Sequence, residues 1–140
     1  MKKIILILLI LSELLFSSKI DTERKIYKHI LYALYPDKEN IKIWSDDEKL
    51  QSLLMQIPRV KTVSKLSDAN LLIITKRKDI KSDKLKFTTS YPLLLHYEKS
   101  AIGGFYWQKG RPNILFLKSN LQKHHISLPE SMHEYIEDTL

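Results

Sequence analysis

Residues 92–117, PLLLHYEKSAIGGFYWQKGRPNILFL, decide the fold of this chain. The stretch predicts three strands, at Leu93–Tyr97, Ala101–Trp107 and Asn113–Leu117, because each is a run of apolar or aromatic residues. The short loop between the last two runs contains Gly110, and such a loop predicts a β-hairpin. We expect the rest of the chain to supply partners for this sheet.

The same stretch contains residues with special backbone properties. Gly103 and Gly104 have no side chains to bury, so they predict a β-bulge or the close approach of another backbone segment. Pro112 lacks an amide hydrogen and is therefore expected at the turn or at the start of its strand.

The first residues have the pattern of a secretory signal peptide. Lys2 and Lys3 form a short positive region, and Ile4–Leu11 is an uninterrupted run of Ile and Leu. The run is shorter than the roughly 20 residues that a spanning helix needs. We therefore predict a cleaved leader at residues 1–18, one domain at residues 19–140 and a periplasmic location. The alternative is an uncleaved anchor, through which alone the chain would contact a membrane.

Charge and cysteine content limit the possible functions. The chain has 23 Lys and Arg against 16 Asp and Glu, for a formal net charge of +7. It contains no cysteine, which excludes disulfides, a thiol nucleophile and a thiolate metal site. The densest basic loop, residues 76–86, is interleaved with aspartates and is expected to be solvated. No nucleic-acid partner is predicted, and an anionic membrane surface or an acidic partner is the better match for the charge.

The first half of the chain predicts a parallel βαβ start. Residues 22–35 form an apolar stripe at helical spacing, and Ile41–Trp44 alternates as a strand. Asp46 is the expected N-cap of a second helix. The strands Val60–Val63 and Leu71–Thr75 follow, and the second of them is apolar enough to be buried on both faces.

The second half completes the sheet. Residues 76–89 predict a loop or short helix with an extended piece at Leu85–Phe87, and residues 119–124 predict a short helix. The capping-box spacing of Ser127 and Glu130 predicts a terminal helix. Together the segments predict a single-domain α/β fold, with a mixed β-sheet, a βαβ start, a C-terminal β-hairpin and helices on both faces.

Residues with catalytic or ligand-binding chemistry are few. Serines and histidines lie outside known nucleophile contexts, and no phosphate loop is present, so we predict no catalytic residue and no cofactor. His124, His125 and His133 share one region, but the adjacent pair points in different directions, so no metal site is predicted. Ser45 and His96 are the ligand-binding candidates, because ligands bind at strand ends in α/β sheets. A hydrogen-bonded histidine at the sheet edge is the alternative for His96.

The hairpin offers candidates for binding a protein partner. Phe105 and Trp107 share one face of their strand while Tyr106 takes the other, because side chains alternate. Phe105, Trp107 and Arg111 are residue types that anchor interfaces. We expect the aromatic pair to be at least partly exposed, with core packing as the alternative.

From about Ile26 to Ile136 the order of elements resembles the YfiR-like family of periplasmic proteins. The resemblance rests on the strand IKIW with DDEKL after it, on DANLLII, and on the C-terminal pattern of AIGG, ILF and ISLP, at residues 41–44, 46–50, 68–74, 101–104, 114–116 and 126–129. It implies a small exported α/β domain. The characterised member restrains a membrane diguanylate cyclase by binding that enzyme's periplasmic sensor domain. The cysteines of that member are missing here, so redox control through them is not implied, and no catalytic residue carries over.

These observations predict an exported, non-catalytic regulatory protein that binds and modulates a membrane signalling or transport protein. A diguanylate cyclase sensor is the partner that the resemblance implies. The alternative is a periplasmic protein that binds a small molecule or an anion near Ser45 and His96. A hydrolase is the third hypothesis, and it would require convergent Ser, His and acidic side chains.

Overall fold

The computed structural model describes the backbone of residues 2–140 and the side chains of residues 18–140. Its helices are α1 (Lys2–Leu34), α2 (Glu48–Leu54), α3 (Tyr91–His96) and α4 (Lys118–Lys123). Its strands are β1 (Ile41–Ser45), β2 (Val60–Thr62), β3 (Leu71–Ile74), β4 (Leu85–Thr88), β5 (Ala101–Gln108), β6 (Arg111–Leu117) and β7 (Ile136–Glu137). Short 3-10 helices lie at Leu66–Asp68 and Glu130–Tyr135.

The leader is predicted at residues 1–18. Its side chains, except that of Ser18, lie outside the described residues. It therefore stays a prediction. Within the described part of the chain, no helix combines the length and the apolar character that a membrane crossing requires.

The strands form one mixed sheet in the order β2-β1-β3-β4-β5-β6-β7. The first five strands in this order run parallel to one another, β6 is antiparallel to β5, and β7 runs parallel to β6. Helix α2 connects β1 to β2, which is the predicted βαβ start. The extended piece predicted at Leu85–Phe87 is β4. The predicted α/β fold, with its mixed sheet and C-terminal hairpin, is therefore confirmed.

Helices cover both faces of the sheet, as predicted. On one face, which we call the α1 face, Ile73 and Phe87 form a buried cluster with α1 and α2. On the opposite face, which we call the α3 face, Leu72 and Ile74 pack against α3. Strand β3 is buried on both faces, as its sequence LLII predicts.

The strand predicted at Leu93–Tyr97 is wrong, because these residues belong to α3 and its C-terminus. The Ser90 hydroxyl accepts a hydrogen bond from the Leu93 amide at 3.2 Å, and Pro92 lies in the first turn. Both are signals of a helix start. A short apolar run fits a buried helix as well as a strand, so its periodicity alone could not separate the two. Helix α3 brings the chain back so that β5 runs parallel to β4.

The C-terminal segment also differs from its prediction. It forms a 3-10 helix at Glu130–Tyr135, and this helix starts after Pro129 without a side-chain cap, so the capping box of Ser127 is wrong. Met132 of this helix is fully buried. The helix ends because Ile136 pairs with Phe116 in the sheet, which draws the backbone into an extended conformation.

Strand β5 contains a β-bulge. Ala101 pairs with Lys86, but the next residue of β4, Phe87, pairs with Gly103, so Ile102 is an extra residue. A bulge of this kind shifts the alternation of side chains by one position. Ile102 and Phe105 consequently both belong to the α1 face.

At Gly103 and Gly104, β5 leaves no room for a Cβ atom beside its two neighbouring strands. A Cβ atom on Gly103 would collide with the carbonyl oxygen of Leu115 in β6. A Cβ atom on Gly104 would lie 2.7 Å from the hydroxyl oxygen of Thr88 in β4. The bulge and the close backbone approach predicted for this glycine pair are therefore confirmed.

Gly103→Val and Gly104→Val should each lower the free energy of unfolding by about 1–3 kcal/mol, because the new side chain has no space between the strands. The loss should be larger at position 103, where the obstacle is a backbone carbonyl and not a side-chain hydroxyl. Lys109→Ala at the exposed turn is the control and should change the value by less than about 0.5 kcal/mol. Thermal unfolding checks all three, and equal melting temperatures would contradict the argument.

Candidate functional site

The order in which the chain adds strands to the sheet changes sense between β1 and β3, although the two strands are parallel. β2 lies on one side of β1 and β3 on the other, so the connections that follow β1 and β3 diverge. Such a switch point leaves a crevice outside the carboxyl ends of the strands, where ligands of open α/β sheets bind. The carboxyl ends of β4 and β5 lie at the same edge, because all four strands are parallel.

A cleft of about 730 Å³ opens at this edge, and we call it the switch-point cleft. Its volume falls within the range of small-molecule sites. One wall is α1, which contributes Ile20, Glu23 and Tyr27 at helical spacing. The facing wall is α2, and the floor consists of residues at the ends of β3, β4 and β5. Residues of the second wall and floor include Leu50, Leu53, Thr75, Thr89, Phe105, Tyr106 and Trp107.

Trp107 closes one end of the cleft against α1. Its indole Nε1 donates a hydrogen bond to Glu23 Oε1 at 2.6 Å. The ammonium of Lys19 lies 4.9 Å from the ring centroid, within the range of a cation–π contact. Phe105 packs beside it, with ring centroids 6.1 Å from Trp107 and 5.1 Å from Tyr27. Trp107 therefore ties α1 to the end of β5.

Tyr27 places a polar group deep in the cleft. The residue is only 3% exposed, yet it lines the cleft, and its hydroxyl has no hydrogen-bond partner among the described residues. Burial raises the pKa of Tyr27 above its ordinary value, and the carboxylates of Glu23 and Asp47 raise it further. All three side chains line the same cleft.

Glu23 and Asp47 are carboxylates without a basic partner in the described part of the chain. One oxygen of Glu23 accepts the Trp107 indole N–H, and one oxygen of Asp47 accepts the Leu50 amide at 3.1 Å as the N-cap of α2. The ion pairs among the described residues join Arg24 to Asp21, Lys78 to Asp46 and Lys118 to Asp138. Each of the two cleft carboxylates therefore keeps one oxygen for another donor.

Asp46 links the carboxyl ends of β1 and β3 beside the cleft. Its carboxylate accepts hydrogen bonds from the Thr75 amide at 2.8 Å, the Thr75 hydroxyl at 2.7 Å and the Lys76 amide at 3.2 Å. The side chain is fully buried, and Lys78 Nζ lies 3.9 Å away. The prediction that Asp46 caps α2 is wrong by one residue, because Asp46 reaches across to β3 and Asp47 is the cap.

The predicted ligand-binding residues Ser45 and His96 line no common cavity. Ser45 is buried, and its hydroxyl accepts the Asp47 amide at 3.3 Å. It marks the correct edge of the sheet, but it does not line the switch-point cleft. His96 is exposed and lines a separate hollow of about 360 Å³ beside residues 77–80. The strand-end position predicted for His96 is wrong, because the residue lies on α3.

The predicted partner-binding residues do not form one surface. Phe105 is 2% exposed, so the expectation that it is exposed is wrong, and core packing is the correct alternative for this residue. Trp107 is half-buried and turned towards α1. Arg111 pairs with Gln108 across the hairpin and therefore shares the face of Tyr106, since paired residues lie on the same side of a sheet.

Arg111 instead lies on the α3 side of the sheet, where other exposed side chains also lie. Tyr91 and Leu95 of α3 are exposed, at 38% and 44%. The Tyr91 ring lies 6.1 Å from that of Tyr106. We call Tyr91, Leu95, Tyr106 and Arg111 the hairpin surface.

The histidines near the C-terminus do not converge. His133 contacts the Leu128 carbonyl oxygen at 3.0 Å, whereas His124 and His125 follow α4. In the part of the chain that the structure describes, no group of three or more His, Asp and Glu side chains could hold a metal ion.

Comparison of the chain with protein-family models, with curated proteins and with solved structures finds no significant match. The resemblance to the YfiR-like family thus stays a prediction from the residues alone. The function must be argued from the geometry of the cleft and of the hairpin surface.

Asp46→Ala should lower the free energy of unfolding by about 2 kcal/mol, because it removes the acceptor of three hydrogen bonds from partly buried or exposed donors at the end of β3. Asp47→Ala removes only the cap of α2 and should cost about 1 kcal/mol. Denaturant unfolding at neutral pH measures both, with the exposed Asp37→Ala as control. A larger loss for Asp47→Ala than for Asp46→Ala would contradict the assigned roles.

Proposed function

We propose that this chain is a non-catalytic binding protein that holds a small organic molecule in the switch-point cleft. The observation that carries the proposal is the Tyr27 hydroxyl, which has no described partner and lines a cleft with largely apolar and aromatic walls. Small-molecule sites combine such walls with a few placed polar groups. A hydrogen bond from this hydroxyl to a ligand would fix the orientation of the ligand in the cleft.

The position of the cleft supports a sensing role. A ligand there would contact α1, α2 and the end of β5 together, and these elements already share one buried cluster and the hydrogen bonds of Trp107 with Glu23 and of Arg24 with Gln56. A ligand that binds only the folded domain stabilises it by mass action. Occupancy would therefore strengthen the attachment of α1 to the sheet.

The predicted export agrees with this role. Lys2, Lys3 and the Ile/Leu run support a leader that directs the chain across the inner membrane. In the periplasm the domain would meet small molecules from outside the cell. The proposal is thus an exported binding protein whose α1 responds to a ligand.

The test uses three probes with the same phenylethyl body: 2-phenylethanol, phenethylamine and 3-phenylpropionate. At least one should shift the amide NMR signals of residues around the cleft. Ser52→Trp, which places an indole at the mouth of the cleft, should abolish these shifts. Met55→Trp adds the same side chain to an exposed site of the same segment outside the cleft and should leave them unchanged. Absence of cleft shifts with all three probes would contradict the proposal.

A second candidate function is regulation of a membrane signalling or transport protein through the hairpin surface. The observation that favours it is the exposure of aromatic, leucine and arginine side chains on one face of the hairpin and α3. Tyr and Arg are the residue types that dominate interface hot spots. A diguanylate cyclase sensor domain is the partner that the resemblance to YfiR-like proteins implies.

A photo-crosslinking amino acid at Leu95 should capture this partner in intact cells. The same probe at Met55, which is also exposed but lies at the end of α2, should not. In purified complexes Arg111→Ala should weaken binding by about 2 kcal/mol if it is a hot spot, whereas Lys109→Ala at the adjacent turn should have little effect. Equal capture from both crosslinking sites, or none from Leu95, would contradict a partner at the hairpin surface.

A further inference from the structure

The charges inside the switch-point cleft differ from those at its rim. The half-buried carboxylates of the cleft are those of Glu23 and Asp47, and they have no ion-pair partner among the described residues. The lysines of the cleft, Lys19 and Lys49, are both exposed. Exposed charges are screened by water and salt more strongly than half-buried ones, so the inner carboxylates dominate the field that a ligand meets.

One end of the cleft already holds a cation from the chain itself. The Lys19 ammonium lies 4.9 Å from the Trp107 ring centroid, and the same indole donates its N–H to Glu23. Yet Lys19 lies outside ion-pair distance of Glu23, since no such pair occurs among the described salt bridges. An aromatic face beside an unpaired carboxylate is the arrangement that recognises ammonium groups.

The walls specify the rest of the ligand. Leu50 and Leu53 of α2 are buried and apolar, and Phe105 lies next to Trp107. These side chains favour an apolar or aromatic body next to the charged group. The Tyr27 hydroxyl, which can both donate and accept, suits a polar atom between the two parts.

We propose that the occupant of the switch-point cleft is a small organic cation, an amine with an apolar or aromatic body. Its ammonium pairs with Glu23 and Asp47 beside the Trp107 ring, and its body packs on α2 and Phe105. This inference rests on the proposed binding function and adds the chemical class of the ligand. Lys19 then acts as an internal competitor for the Trp107 face.

The experiment is a fluorescence titration of the full chain. It uses the Trp44→Phe variant, in which Trp107 is the one remaining tryptophan. The probes are phenethylamine, 2-phenylethanol and 3-phenylpropionate, which share one body and differ in charge. Phenethylamine should bind at least about tenfold more tightly than 3-phenylpropionate, a ratio that corresponds to about 1.4 kcal/mol. Preferential binding of 3-phenylpropionate would overturn the inference.

Two variants test whether the cleft selects for positive charge or binds aromatic compounds regardless of their charge. Glu23→Gln removes the charge but keeps an oxygen that can accept the Trp107 hydrogen bond. It should lower the affinity for phenethylamine by about fivefold or more and leave the affinity for 2-phenylethanol unchanged. Glu39→Gln, an exposed site outside the cleft, is the matched control. Equal affinities of phenethylamine for the Glu23→Gln and Glu39→Gln variants would overturn the inference.

The Lys19→Gln variant distinguishes a cleft that binds cations from one that binds anions by the affinity that it changes. If the cleft binds cations, loss of the competing ammonium should tighten phenethylamine binding by about twofold or more. If Lys19 instead binds an anion, Lys19→Gln lowers the affinity for 3-phenylpropionate and leaves the affinity for phenethylamine unchanged. That result would overturn the inference. Amide NMR signals of the core confirm that each variant is folded.

Failure of this inference is distinct from failure of the proposed function. Binding of 2-phenylethanol or 3-phenylpropionate in the cleft without a preference for phenethylamine overturns the cation class but leaves the small-molecule function standing. The lack of cleft binding by every probe, with the Ser52→Trp and wild-type chains indistinguishable, overturns both.

Discussion

The bulge at Ile102 determines which side chains reach the cleft. Without the extra residue, strict alternation from Ile102 would place position 106 on the α1 face and positions 105 and 107 on the α3 face. The shift by one residue reverses this assignment, so Phe105 and Trp107 meet α1 and Tyr106 meets Tyr91 of α3. Both the switch-point cleft and the hairpin surface depend on this one irregularity in β5.

The glycines make the bulge possible. β5 lies between a parallel neighbour and an antiparallel one, and at Gly103 and Gly104 it has no room for a Cβ atom on either side. Much of this fold could be predicted from the sequence, because β1, β3 and the hairpin have strong local patterns. The glycine pair also indicated the bulge. Its register could not be predicted, because pairing with β4 is a long-range contact that the local sequence does not encode.

The candidate site was harder to predict than the fold. Glu23 and Tyr27 come from α1, Asp47 caps α2, and Trp107 comes from β5, so the site exists only after these elements pack. The sequence predicts helix capping at Asp46, one residue before the true cap Asp47, and it explains Tyr27 by an apolar stripe, which is correct as far as it goes. The strand-end rule indicates the correct edge through Ser45, but it fails for His96, because a short apolar run fits a buried helix as well as a strand.

The two oxygens of Glu23 connect ligand binding to the attachment of α1. One oxygen holds the Trp107 indole at 2.6 Å, and the other is open to a donor in the cleft. A ligand ammonium can therefore pair with Glu23 without breaking the contact between α1 and β5, and it adds a bridge to Asp47 of α2. Lys19, one turn before Glu23, must then leave the Trp107 ring. Binding would thus reinforce the inner part of α1 and release the Lys19 ammonium from the Trp107 ring.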